Sequence, residues 1–257
     1  MHAPGPRAVA DEPWPTGRAR GACVASGTPA VGVGTDGRAG AVVAGSAERD
    51  DVVRALLARH GRTYAEEAGI RLRDAPSPLY ELAVLTTLLA ARITAGVAVA
   101  AARELFAAGL RTPRAMAAAD WQERVDALGR GHYRRYDEST ATALGRGAEL
   151  VLDRWHGDLR RLREEGGDLA GVRRLVQELP GVGPTGADVF CREVQGVWPE
   201  LQPVVDRRAA DGARALGLPT DADALAELVD ADDLPRLVAA CVRAALGDDV
   251  VADVRGG

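Results

Sequence analysis

The sequence predicts an all-α protein, and three observations carry that expectation. Apolar residues recur at helical spacing from Asp50 onward, and no convincing alternating strand appears beyond that point. The chain is 47% apolar but only 4% aromatic, so its core must be built from Ala, Leu and Val; Ala and Leu are strong helix formers. Pro, Gly and short polar residues punctuate the apolar runs where helices start and stop.

The elements follow in order. Residues 1–48 are rich in Gly, Ala, Pro and Val without sustained periodicity, and read as a disordered or low-complexity extension. A short strand pair around Val31–Val33 and Ala41–Ala44 is the alternative there. Val52, Val53, Leu56 and Leu57 form an apolar stripe that ends near Gly61. Ser77-Pro78 places an N-cap and a first-turn proline ahead of a helix reaching about Ile93. That helix is apolar nearly all round and should be central. Further helices are expected at Val97–Ala107, from Thr112-Pro113, from Asp120 to Gly129 with Glu123 completing a capping box, and over Asp137–Trp155. The rest lie at Asp168–Glu178, Pro184–Gln195, Val205–Leu216, Thr220–Leu228 and Leu234–Leu246. The domain reading is an extension (1–48), a helical domain (49–218) and an acidic helical tail packing on it (219–257).

Charge narrows the chemistry. All 32 basic residues are Arg, and the chain has no Lys and no Asn, which excludes any lysine Schiff base. Net charge is −5, but the acidity is concentrated. Residues 219–257 carry 3 Arg against 9 acids, whereas residues 51–218 carry 24 Arg against 23 acids. The middle of the chain is therefore free to present an Arg-rich face to a polyanion. Cys23, Cys191 and Cys241 are odd in number and far apart. They exclude a disulfide framework and a four-cysteine cluster made by this chain alone, and suit a reducing compartment. No apolar run is long enough to span a bilayer, and Met1–Arg7 lacks a secretory apolar segment. A cytoplasmic monomer with no membrane partner is expected.

The most informative string is Leu179-Pro180-Gly181-Val182-Gly183, set between two helical segments. Pro180 stops the first helix, the glycines allow a tight turn, and the next helix opens at Pro184 with free N–H groups outward. Such a turn offers backbone donors and a helix N-terminus to a phosphate, without a positive side chain. The plain alternative is a helical hairpin with no ligand.

This string, with Ala187, Val189 and Phe190 behind it, resembles the DNA-binding hairpin of the endonuclease III (HhH-GPD) superfamily of base-excision DNA glycosylases. The resemblance covers roughly residues 50–218. It implies a six-helix barrel plus a second small helical part, and double-stranded DNA as partner. It assigns Leu179, Pro180, Gly181, Val182, Gly183 and Thr185 to the phosphate-binding hairpin. In that family an Asp at a helix start follows the hairpin and is the catalytic acid; Asp206 in Val204-Val205-Asp206 stands there, with Leu216-Gly217-Leu218 as the matching helix ending. Arg207 and Arg208 are then expected at the DNA. Arg92 occupies the place of the family's gap-filling Gln. The loop with Arg130, His132, Tyr133, Arg134 and Arg135 is placed like the family's second wedge, where cations and aromatics suit phosphate contact and insertion between bases. Tyr80, Trp121 and Tyr136 are aromatics that either stack on a base or pack in the core.

The departures sharpen the expectation. Thr185 stands where bifunctional members carry the lyase Lys, the cluster-binding cysteines are missing, and Arg208 and Asp211 replace the usual His and Arg around the acid. The resemblance therefore implies a monofunctional N-glycosylase without an iron–sulfur cluster, other cofactor or metal, leaving an abasic site. A non-catalytic helix-hairpin-helix DNA-binding protein remains the alternative, and a helical scaffold with an acidic protein-binding tail the third.

Overall fold

The computed structural model describes residues 45–256, and these are helical, with no strand among them. The expectations for residues 1–44, the strand pair included, lie outside the described residues. Fourteen α-helices and one 3₁₀ turn (Pro199–Leu201) succeed one another through short loops. The first, α1 (Ser46–His60), begins earlier than Asp50, so the end of the expected extension is already helical.

Helix α3 (Pro76–Leu89) is the hub. Every residue from Pro78 to Leu88 is buried, which its all-round apolar character demands. Around it pack α4 (Ala95–Ala107) and α7 (Asp137–Trp155), with α6 (Trp121–Arg130) against both of these and α5 (Pro113–Ala118) against α7. Two start signals differ from expectation. Ser77 lies inside α3 and its hydroxyl bonds Glu81 and the Arg111 carbonyl, because Ala75 and Pro76 already set the first turn. The helix stops at Leu89 rather than Ile93, and residues 91–93 form bends. Asp120 caps α6 through Glu123 N–H at 2.7 Å, the one half of the expected box that forms. The helix runs on to Arg130, one residue past the expected Gly129, and its close approach to α4 comes at Gly131, where a Cβ would meet the Ala101 backbone.

A second group is formed by α10 (Pro184–Val194), α11 (Arg207–Ala215), α13 (Leu234–Leu246) and α14 (Asp248–Arg255). Helix α13 packs on α11, α1, α10 and α14, and Leu237, Val238 and Cys241 are fully buried. Helices α8 (Arg160–Gly166) and α9 (Leu169–Val176) pair with each other, and α9 leads into α10. The pairing of α3 with α10 joins the two groups. Four short elements, α2 (Tyr64–Glu67), α8, the 3₁₀ turn and α14, were not anticipated; α12 (Ala222–Ala226) falls inside the expected Thr220–Leu228.

Candidate functional site: a hairpin and a cleft joined by one helix

The hairpin begins as a chain reversal. Val182 N–H donates to the Leu179 carbonyl at 3.0 Å across a four-residue turn, with Pro180 second and Gly181 third at φ +83°. Proline presets the first central position and only glycine enters the second cheaply, which is the type II pattern. The side chains of Leu179 and Val182 turn into the core, so their share of the outer surface is backbone. Gly181, Gly183, Pro184 and Thr185 are exposed. Gly183 caps α10 without any side-chain acceptor, so the first-turn amides are not claimed by a cap. The turn seats against α3 and α7, with Gly181 close to Thr87 and Ala143. A Cβ at Gly186 would come within 2.8 Å of Val182 and 3.1 Å of Ala90, just past the end of α3.

One face of α10 connects this turn to a cleft of about 840 Å³. Thr185, Asp188, Val189 and Arg192 succeed one another at helical spacing along its wall. Opposite stand Leu89, Ile93 and Thr94 at the end of α3, Arg207, Arg208 and Asp211 on α11, and Val242 and Leu246 on α13. Tyr64 of α2 also faces it. Arg92 is exposed beside the cleft-lining Ile93.

Asp206 lines this cleft and is almost wholly enclosed, its side chain 5% exposed. Its Oδ1 accepts the Ala209 N–H at 3.0 Å, capping α11. Its Oδ2 accepts from Nη1 of Arg192, itself 4% exposed. The approach to Asp206 is fixed by Gln195, whose Oε1 accepts Val204 N–H at 2.9 Å while its Nε2 donates to the Val204 carbonyl at 3.1 Å. Burial pushes Asp188 above the usual carboxylate range and the nearby charge of Asp206 adds to this, while Arg173 and Arg192 oppose it. Next along α10, the fully buried Glu193 accepts the N–H groups of Tyr64 and Ala65 and thereby starts α2; burial pushes its carboxyl up despite Arg192.

The structure thus brings together Asp206, Arg207, Arg208 and Thr185 at one cleft, with Arg92 beside it. The 130–136 loop is not part of the cleft lining. Within it Arg134 and Arg135 are exposed, and His132 is exposed in a left-handed turn at φ 63°. Arg130 pairs with Glu104 at 3.1 Å. Tyr133 corrects the expectation. It is 1% exposed, and its hydroxyl shares a 3.1 Å hydrogen bond with Thr140, so its ring belongs to the core and cannot insert between bases. Tyr80 is likewise buried, Tyr136 half-buried under Arg135, and Trp121 exposed with its ring N–H on Thr142. Sequence reasoning missed Tyr64, Asp188 and Arg192. Each reads locally as an ordinary helix residue, and only the packing of α2, α10 and α11 makes them neighbours.

Cys191 and Cys241 are fully buried, and burial pushes both thiols up to about 12, leaving them unreactive in the fold. No cluster of three or more His, Cys, Asp or Glu suited to a metal occurs among the described residues. No helix among them is long and apolar enough to cross a membrane.

No family model matches the sequence, and no curated protein matches it significantly. Among solved structures, the chain is similar to endonuclease III in a trapped covalent intermediate with DNA, an estranged-adenine complex. The TM-score is 0.47 at 18% identity, covering 75% of this chain and 81% of that one.

Proposed function

We propose that this chain binds double-stranded DNA through the 179–185 hairpin and hydrolyses the N-glycosidic bond of a damaged or mispaired nucleotide in the adjoining cleft. One observation carries the reading. A single helix, α10, begins in an uncapped glycine turn suited to a phosphate and lines, along one face, a cleft floored by a carboxylate. A base inside a duplex cannot be reached by such a cleft, so the nucleotide would be turned out, at a cost of a few kcal/mol. The hairpin amides would hold the backbone beside it. Arg92, at the cleft edge, would occupy the vacated stack, with Arg134 and Arg135 on the flanking phosphates.

In hydrolysis the bond between C1′ and the base nitrogen breaks, the base leaving with the electron pair, and water oxygen bonds to C1′ with loss of a proton. Positive charge grows on the sugar, and Asp206 is the carboxylate that would stabilise it and take the proton from water. Arg192 offsets the charge of Asp206, so the strength of that pair sets how much field reaches the sugar. No cofactor is part of the proposal, and the chain's three cysteines do not fit a four-cysteine cluster. No lyase step is proposed either, since the chain has no Lys. The same saturation of Asp206 favours a second reading, a DNA-binding protein that holds an extruded nucleotide without cutting it.

The test is a panel of duplex oligonucleotides, each with one defined lesion or mismatch, treated with heat and alkali to reveal abasic sites. Wild type and Asp206→Asn are compared, with melting curves to confirm folding. Base release by wild type, lost in the variant with binding retained, supports the glycosylase. Binding without release across the panel supports the second reading. No binding at low salt removes both.

A further inference from the structure

Three carboxylates line the cleft, and they differ in what remains available to a ligand. Asp206 has both oxygens engaged and almost no exposed surface. Asp211 is 50% exposed and paired with Arg214 at 2.6 Å on its own helix. Asp188 stands on the inner face of α10, one turn before Arg192, with its side chain 37% exposed. Its Oδ1 meets Nη2 of Arg173, from α9, at 3.0 Å. Among the described residues no hydrogen bond to its Oδ2 is formed.

Resting on the reading of this cleft as the pocket for an extruded nucleotide, we propose that Asp188 is its base-reading acceptor. Its free Oδ2 takes a hydrogen bond from the exocyclic amino group of the extruded base, so the site favours amino-bearing bases over their oxo counterparts. An ionised carboxylate can only accept, so a keto oxygen in the same place would set two acceptors against each other. Arg173 holds the charge while burial and Asp206 act against it, so a further donor answers a carboxylate that the protein leaves incompletely compensated. Apolar Leu89, Ile93 and Val189 line the same cleft and suit the faces of a base. The inference names the substrate class as a nucleobase presenting an amino edge, and it does not depend on Asp206 being catalytically competent.

Binding rather than turnover tests it. Duplexes of one sequence carry adenine, hypoxanthine, cytosine or uracil opposite an abasic residue, so that no base pair has to break. A control duplex carries a tetrahydrofuran residue at the target position. Wild type is expected to bind adenine over hypoxanthine and cytosine over uracil by about tenfold, the size of one charge-assisted hydrogen bond. In Asp188→Asn, whose amide offers donor and acceptor alike, both ratios should fall to within about twofold. Affinity for the control duplex should be unchanged. Equal binding of the amino and oxo partners by wild type overturns the proposal and leaves the DNA reading intact, and needs no variant to fold. Preference retained in Asp188→Asn, or a fall on the control duplex as well, also overturns it. Absence of binding to every duplex, the control included, removes the DNA reading and this inference with it.

Discussion

Arg192 on α10 and Asp206 at the head of α11 form an ion pair with both side chains about nineteen-twentieths buried, fourteen residues apart in sequence. The pair fastens the cleft's floor to the helix that carries the hairpin. Gln195, three residues beyond Arg192, clamps Val204 from the same helix, so the pair closes a frame the backbone has already set. Removing one member of a buried pair leaves a buried charge without its counter-ion. Arg192→Met should therefore destabilise the fold by about 3–5 kcal/mol, while Arg192→Met with Asp206→Asn should recover most of the loss. Urea denaturation of the two single variants and the double gives the coupling; additive effects would mean that the two groups do not depend on each other.

Gly183 separates binding from folding. Its φ of −92° is open to any residue, and nothing lies within 4 Å of a Cβ built on it. Aspartate there is a good N-cap and sits favourably at a helix N-terminus. Gly183→Asp should thus leave the melting temperature unchanged or higher. On the proposed reading it should abolish DNA affinity, because a carboxylate would take the amides proposed to hold a phosphate. Fluorescence anisotropy with an abasic-site duplex measures the binding. Unchanged affinity would remove the hairpin from the DNA interface.

What the sequence disclosed follows from where the determinants sit. Helices bounded by their own residues were legible to the residue or nearly so, as in Asp137–Trp155, Leu234–Leu246 and the Asp168-capped α9. Helix α2 was not, although Thr63 and Glu66 form a full capping box, because four residues cannot hold a helix and Glu193 from α10 supplies the rest. Asp206 was visible as a helix start, but its partner was not, since Arg192 reads locally as an ordinary helix residue and only the packing of α10 on α11 brings the two together. The loop around Tyr133 reads as exposed from its charged neighbours. His132, just before it, takes a left-handed conformation, and the Tyr133 ring is buried with its hydroxyl on Thr140.

The clasp between α1 and α14 gives the acid behaviour a named contributor. Asp253 Oδ2 meets His60 Nε2 at 2.9 Å, and its Oδ1 lies 3.3 Å from Arg59 Nη1. The His60 hydrogen bond first, then the charges of Arg59 and His60, hold its carboxyl below the ordinary carboxylate range. A carboxylate whose folded value is depressed contributes stability that is present above its unfolded value, near pH 4, and lost as pH falls through the folded one. Asp253→Asn should therefore melt below wild type at neutral pH, with the gap closing in acid. Half-exposure keeps the effect small, and added salt should shrink it further. Melting curves across the acid range check this; a gap constant with pH would assign the contact to packing alone.

The crossing of α11 and α13 carries the cleft's outer wall and depends on one small residue. A Cβ at Gly212 would fall on the carbonyl oxygen of Cys241, so the two backbones touch where the glycine stands. Ala209 and Ala213 on α11 are buried on the same side, and Ala240, Cys241 and Ala244 are buried on α13. No side chain at Gly212 can rotate away from a clash with main chain, so the helices must separate. Separation would carry Arg207 and Arg208 away from the α13 residues Val242 and Leu246, with which they share the cleft. Gly212→Ala should cost about 1–3 kcal/mol by overpacking. It should also weaken binding of a duplex with an extrudable base more than binding of undamaged duplex, which on the proposed reading needs the hairpin and not the cleft. Loss of both affinities in equal measure would show that the crossing sustains the whole fold rather than the cleft.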